Sequence, residues 1–415
     1  MTHTTIGEKF LCFSLIFIGY LGFSQNIQRI APEQFQNSDF EKTVPVSEFK
    51  NAQIVALGES THRGANTNSA KVKMVKYLHE KCGFNVLAME ACMFKMIDND
   101  EKVLNGTYNG DSLIRKVSPA WSSSEMRELY DYVVETNKTE NRLAITGFDN
   151  MFPFLAEKDV KEGFYKLVDT LNKKIEKPIV LDGRFNEVFV ESIDKAYGFS
   201  KLSPQDTLLL YNTYSEIQES VAENNLSEAK YFRFWNHTVD NLKSIYSTNY
   251  KKEERDLQMS KNLEILISEY YPNQKVILWG ATFHFVKDSR AADSEVLQKY
   301  KAMGDYVNRK YGDKYYVMAF TALEGAAGTK GMLGLGKQRF VTKKESIERY
   351  IEKTANDPDY AFMSLHDSEN RKIISEQITS TSILGTRPTK TNLLEVADGI
   401  FYIKEEGLIH WDWDI

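Results

Sequence analysis

Four short runs of β-branched and apolar residues, each leading into polar residues able to do chemistry, constrain this chain most. Gln53–Leu57 (QIVAL) leads into Gly58, Glu59, Ser60, Thr61 and His62, and Asn85–Met89 (NVLAM) ends at Glu90. Arg142–Gly147 (RLAITG) ends at Phe148 and Asp149, and Lys275–Trp279 (KVILW) is followed by Ala281, Thr282, Phe283 and His284. Unbroken apolar runs of this length read as strands covered on both faces. Between the first two, residues 69–80 carry Val72, Val75, Tyr77 and Leu78 at roughly helical spacing, and Gly83 stops the helix. A strand–helix–strand unit of this size makes its strands parallel. Tyr315–Thr321 reads as a fifth strand, with Tyr360–Met363 and Gly399–Ile403 as weaker candidates. Helical patterning fills Ala91–Thr136 and about 157–270. The pattern predicts an α/β fold: a mostly parallel central sheet flanked by helices, in one domain over 25–415, with 157–270 as a helical insertion or cap. The aromatic cluster Tyr231, Phe232, Phe234 and Trp235 reads as packing. The glycine-rich stretch 324–340 reads as a mobile surface loop.

The N-terminus carries an uncharged run from Phe10 to Phe23 behind Lys9, with Gly22 and Ser24 preceding Gln25. It is short for a membrane span and suits a secretory signal over residues 1–24. The expectation is a periplasmic or secreted chain with no membrane partner after cleavage. Net charge is −6, without long Lys/Arg blocks, which argues against nucleic acid. Lys173, Lys174 and Lys177 read as a solvated helix end. Cys82 and Cys92 flank a buried strand that would hold them too far apart to bridge, so two separate thiols are expected.

In open α/β sheets ligands bind beyond the carboxyl ends of the strands, so the residues there carry the candidate site. Glu59, His62, Glu90 and His284 form a set that can activate water. A neutral imidazole accepts a proton near neutral pH, a carboxylate fixes its tautomer, and a second imidazole can support the oxyanion. No serine stands in a GxSxG elbow, which favours water as the nucleophile. Each residue also has a blander role. Glu59 and Thr61 fit helix caps, Asp149 fits a cap, His62 fits a turn, and His284 fits a satisfied core histidine. Arg63, beside His62, is a candidate for binding a substrate carboxylate or phosphate.

Several strings in order resemble the erythromycin esterase family. Gly58-Glu59-Ser60-Thr61-His62 and Gly83–Ala91 match its opening, Trp121 and Glu125 its W-x-x-x-E, and Gly147-Phe148-Asp149 its GFD. Arg255–Asn262 matches RDxxMxxN, and Met303–Tyr306 with Tyr311-Gly312 a later block, so the resemblance spans roughly residues 45 to 405. It implies hydrolysis of an ester, in known members the macrolactone of erythromycin-type antibiotics, which inactivates them. It implies no cofactor and no required metal, with a small-molecule ester as the partner. By position, His62 is the base, Glu59 and Glu90 its supporting carboxylates, and His284 a second cleft imidazole. Asp149 and Arg255 join Arg63 as substrate-binding candidates. The chain departs from the family's W-x-H-N-x-H at Ala281 and Thr282, from His-Gly at Arg63, from a Glu at Asn66 and from an Arg at Lys71. Two alternatives stand beside the ester hydrolase. One is a divalent-metal hydrolase using Glu59, His62, Glu90 and His284 as zinc or manganese ligands. The other is a binding protein that kept the cleft without the chemistry.

Overall fold

The computed structural model describes residues 27–151, 154–195, 202–245, 252–299, 301–328, 337–377 and 380–410. Residues 1–24, read from the sequence as a secretory signal, lie outside them. Among the described residues nine strands are present: β1 (Ile27–Ile30), β2 (Ile54–Glu59), β3 (Phe84–Cys92), β4 (Ala144–Asp149), β5 (Lys275–Ala281), β6 (Tyr315–Ala327), β7 (Gln338–Val341), β8 (Tyr360–Ser364) and β9 (Gly399–Glu406). They form one mixed sheet in the order β1-β8-β9-β6-β2-β5-β3-β4, with β7 paired to β6. The run from β9 to β4 is parallel, and β8 joins it antiparallel at the β9 edge.

The strand–helix–strand unit is parallel, but its strands are not neighbours. β5 lies between β2 and β3, bonding to both. The central strands are buried on both faces, as unbroken apolar runs require. One face packs Leu57, Leu87, Met89 and Trp279 against α1 (Ala65–Cys82), through Val72, Val75 and Leu78. Gly83 closes that helix with φ +72°, a left-handed conformation that glycine adopts without strain. The other face packs Ala56, Ala88 and Leu278 with Phe285, Met259 and Met303.

Residues from α2 (Phe154–Asn172) to α3 (Gly183–Lys195), α4 (Pro204–Glu223), α5 (Lys230–Ile245) and α6 (Lys252–Ile265) are helical, and Leu266–Tyr270 continues as a π-helix. Among the described residues this stretch has no strand. It builds its own apolar core from Phe164, Phe189, Tyr214 and Trp235, into which Cys92 also packs. The two thiols, Cys82 and Cys92, are both buried and free.

One expectation is corrected. The glycine-rich stretch 324–340 is not a loop throughout. Glu324–Ala327 and Gln338–Val341 pair antiparallel as hairpin arms. β6 already has β2 and β9 as partners, and its end runs past β2 to offer the free edge that β7 takes. Residues 329–336 lie outside the described residues.

Candidate active site

The site sits at the carboxyl end of β2, β5, β3 and β4, four adjacent parallel strands. β2 extends to Glu59 and β4 to Asp149, each two residues beyond its apolar run, so the carboxylates belong to the strands themselves. Glycines make the crowding possible. Gly58 and Gly280 stand in register on neighbouring strands. A Cβ at Gly280 would lie 2.7 Å from Glu90 Oε2, and one at Gly58 would lie 2.6 Å from Thr282 Oγ1.

His62 stands in the turn between β2 and α1. The backbone of that turn is pinned: Gly328 N donates to the Arg63 carbonyl at 2.9 Å, and Ala65 N donates to the Gly407 carbonyl at 2.9 Å. Glu406 accepts from Asn66 N at 2.8 Å and Thr67 N at 3.3 Å, so this buried carboxylate, not Glu59 or Thr61, serves the helix N-terminus. Glu59 is thereby available to His62, whose Nδ1 lies 2.8 Å from Glu59 Oε1. A carboxylate there accepts the Nδ1 proton and leaves Nε2 as the lone-pair nitrogen. The His62 side chain is 37% exposed, whereas Glu59 is fully covered. The Trp121 ring meets the imidazole edge-on at 4.6 Å between centroids. Partial burial lowers the His62 pKa below its ordinary value; Glu90 opposes this, and His284, Arg255 and Arg63 add to it.

Glu90 crosses above Gly280 to the centre of the cluster. Its Oε2 accepts from Ala281 N at 2.9 Å. Its Oε1 faces Arg255 Nη2 at 3.1 Å, His284 Nε2 at 3.3 Å and His62 Nε2 at 3.9 Å. Burial pushes the Glu90 carboxyl up, but His284, His62 and Arg255 outweigh it and hold the group well below the usual carboxylate range. His284 is buried and satisfied: its Nδ1 lies 2.7 Å from Asp256 Oδ1. Burial pulls its pKa down, yet Asp256 and Glu90 raise it to about 10. At neutral pH the two imidazoles therefore differ, His62 neutral and His284 cationic. Arg255 also forks onto Asp149, with Nε–Oδ1 at 3.1 Å and Nη2–Oδ2 at 2.6 Å.

The four sequence-derived residues Glu59, His62, Glu90 and His284 are thus one connected group, with Asp149 and Arg255 attached to it. Arg63 stands apart, exposed at the mouth. Among the described residues no three His, Cys, Asp or Glu side chains are grouped so as to hold a metal ion. Three members were not among the site residues read from the sequence, though Trp121 and Lys71 stand at positions of the family's motifs. Asp256 holds His284. Trp121 donates its indole N–H to the Glu90 carbonyl at 3.1 Å. Lys71, fully buried, contacts Glu59 Oε2. The signal for Lys71 was its place on the Thr67, Lys71, Met74, Leu78 stripe of an otherwise apolar helix face.

The erythromycin esterase family model matches residues 79–406. That span holds Glu90, Asp149, Arg255, Asp256 and His284, and begins after the Gly58–His62 string. YbfO of Bacillus subtilis (strain 168), which bears a provisional hydrolase name, is 26% identical over 311 residues, 67% of each chain. Three solved structures share the fold. A Bacillus cereus protein superposes with TM-score 0.72 at 19% identity, covering 93% of this chain and 96% of its own. A succinoglycan biosynthesis protein gives 0.71 at 17%, covering 93% and 96%. The erythromycin esterase EreC, as a variant in its open conformation, gives 0.65 at 17%, covering 92% and 98%. With the family model matched over most of its length and the strand-end residues gathered in one cleft, the chain belongs to the erythromycin esterase family.

Proposed function

We propose that this hydrolase cleaves a carboxylic ester, erythromycin-type macrolactones included, with water as nucleophile and His62 as general base. The observation that carries the reading is the 2.8 Å Glu59–His62 contact, which leaves the Nε2 lone pair at the exposed rim. Nε2 and Glu90 Oε1, 3.9 Å apart, are too distant for a good hydrogen bond and suit a water bonded to both. That water gives a proton to Nε2 as its oxygen adds to the ester carbonyl. The tetrahedral oxyanion meets the His284 imidazolium, with the Arg255 cation behind it. On collapse the C–O bond to the leaving alcohol breaks, and the alkoxide takes the proton from His62. Glu90 stays ionised throughout. Asp149 and Arg255 are bound to each other, and Arg255 to Glu90, so their support for substrate runs through Glu90, and Arg63 is the exposed candidate for a substrate anion. The uncharged run Phe10–Phe23 supports export to the periplasm or beyond.

The test uses residues 25–415 with erythromycin and p-nitrophenyl butyrate, read by mass spectrometry, beside His62→Ala and with and without chelator. A gain of one water mass that needs His62 and survives chelation supports the reading. Turnover unchanged in His62→Ala would overturn it. Turnover abolished by chelator would favour the metal alternative, and binding without turnover the third reading.

A further inference from the structure

We infer that Lys71 is a positioning residue for the His62 base: it cancels the charge of Glu59, so that this carboxylate orients the imidazole without protonating it. The inference rests on the reading of His62 as base.

Glu59 has two oxygens and two tasks. Oε1 takes the His62 Nδ1–H, and Oε2 contacts the Lys71 amine. Both Glu59 and Lys71 side chains are 0% exposed, so water screens neither. The Lys71 Nζ also lies 4.1 Å from the centre of the Trp279 ring and 5.9 Å from that of Trp121. An aromatic face is one of the few surfaces that lowers the cost of burying a cation. Burial drives the Lys71 pKa well below its ordinary value, with Glu90 opposing. Whether the shared proton rests on Nζ or on Oε2, the Lys71–Glu59 pair is neutral overall, and His62 feels that neutral pair.

The consequence follows from the geometry. A bare buried carboxylate 2.8 Å from an imidazole favours the imidazolium, which cannot accept a proton from water. With Lys71 in place, Glu59 keeps its hydrogen bond and loses most of its pull. The other charged or titratable groups acting on His62 are Glu90 from β3, His284 beyond β5, Arg255 from α6 and its neighbour Arg63. Among them only Glu90 favours protonation, and it is already shared with Arg255 and His284.

The test replaces Lys71 with Met, which keeps length and removes the amine, and with Arg, which keeps a charge. The His62 ring is titrated by NMR with labelled histidine, its signal assigned by loss in His62→Ala. The kcat/KM of p-nitrophenyl butyrate is followed against pH in parallel. In Lys71→Met the His62 midpoint should rise by at least about one pH unit, carrying the acid limb of activity with it. Lys71→Arg should restore it to within about 0.3 unit. A purely structural role would lower activity evenly at every pH and leave the midpoint unmoved. A folded Lys71→Met chain with an unmoved His62 overturns the inference, and so does a Lys71→Arg chain that shifts as far as Met. Should the Met chain fail to fold, Lys71→Gln carries the same expectation. The NMR titration needs no turnover, so a shifted His62 in a chain without esterase activity would count against the hydrolase reading alone.

Discussion

Asp256→Asn isolates the charge that holds His284 as a cation. Asp256 Oδ1 accepts from His284 Nδ1 at 2.7 Å and from Met303 N at 2.9 Å, and an asparagine oxygen can keep both bonds while losing the charge. The rise of the His284 pKa from 6.5 to about 10 corresponds to on the order of 5 kcal/mol favouring the protonated ring, shared between Asp256 and Glu90. Removing one contributor, with Glu90 left in place, should cost about 2 kcal/mol of stability near pH 6. The sign follows from the direction of the shift. A group whose folded pKa is raised contributes fully below its unfolded value, here 6.5, and loses that contribution as pH climbs through about 10. The gap between native and variant urea midpoints should therefore be widest at pH 6, narrower at pH 8 and nearly closed above pH 10. In the same variant the alkaline limb of kcat/KM should move down by about 1.5 pH units if His284 supports the oxyanion as a cation. A stability gap that stays constant across this range, or no gap at all, would refute the assignment of His284 as a cation held by Asp256.

Gly280→Ala should displace Glu90, because the new Cβ would sit 2.7 Å from its Oε2; a loss of about 1–3 kcal/mol in urea unfolding, with reduced kcat, is expected. Arg255→Lys cannot reproduce the fork onto Asp149 together with the bond to Glu90, so it should cost about 2–3 kcal/mol, and a chain as stable as the native one would contradict the bidentate role. The kcat/KM profile should rise along a limb below pH 6.5, where His62 loses its proton, and decline toward pH 10 as His284 loses its own. Activity that begins only above pH 8 would exclude a neutral His62 as the base.

Much of this was legible in the sequence because the central strands are buried on both faces. QIVAL, NVLAM and KVILW declare themselves without alternation, and their ends name Glu59, Glu90 and the approach to His284. Their convergence was less legible. It depends on β5 sliding between β2 and β3, and no local pattern specifies that order. The N-terminal partner of α1 was equally hidden, since Glu406 arrives from β9 at the far end of the chain. Asp256 was hidden among its charged neighbours Glu253, Glu254 and Arg255, although it is fully buried where Glu254 and Arg255 are only partly so. β1 and β7, four residues each, are too short for a periodicity to register.

Two carboxylates on one sheet edge give two imidazoles opposite protonation because the carboxylates have different company. Glu59 shares its charge with Lys71 in a closed apolar slot, and the imidazole it holds remains neutral at the rim. Glu90 faces the Arg255 guanidinium and the His284 ring, and that ring lies between Glu90 and Asp256 with Arg255 Nη1 3.2 Å from its Nε2. The departure at Ala281 belongs to this division. Its backbone N–H, 2.9 Å from Glu90 Oε2, is supplied by the strand whatever the side chain, so Glu90 is oriented without a histidine there. Glu90 Oε2 is taken by that N–H, while Oε1 faces Arg255 and His284. A further imidazole at 281 would have to compete with groups already in place. On the proposed reading, His62, Glu59 and His284 need nothing from residue 281, and that reading assigns the departure to the shape of the cleft rather than to its proton chemistry.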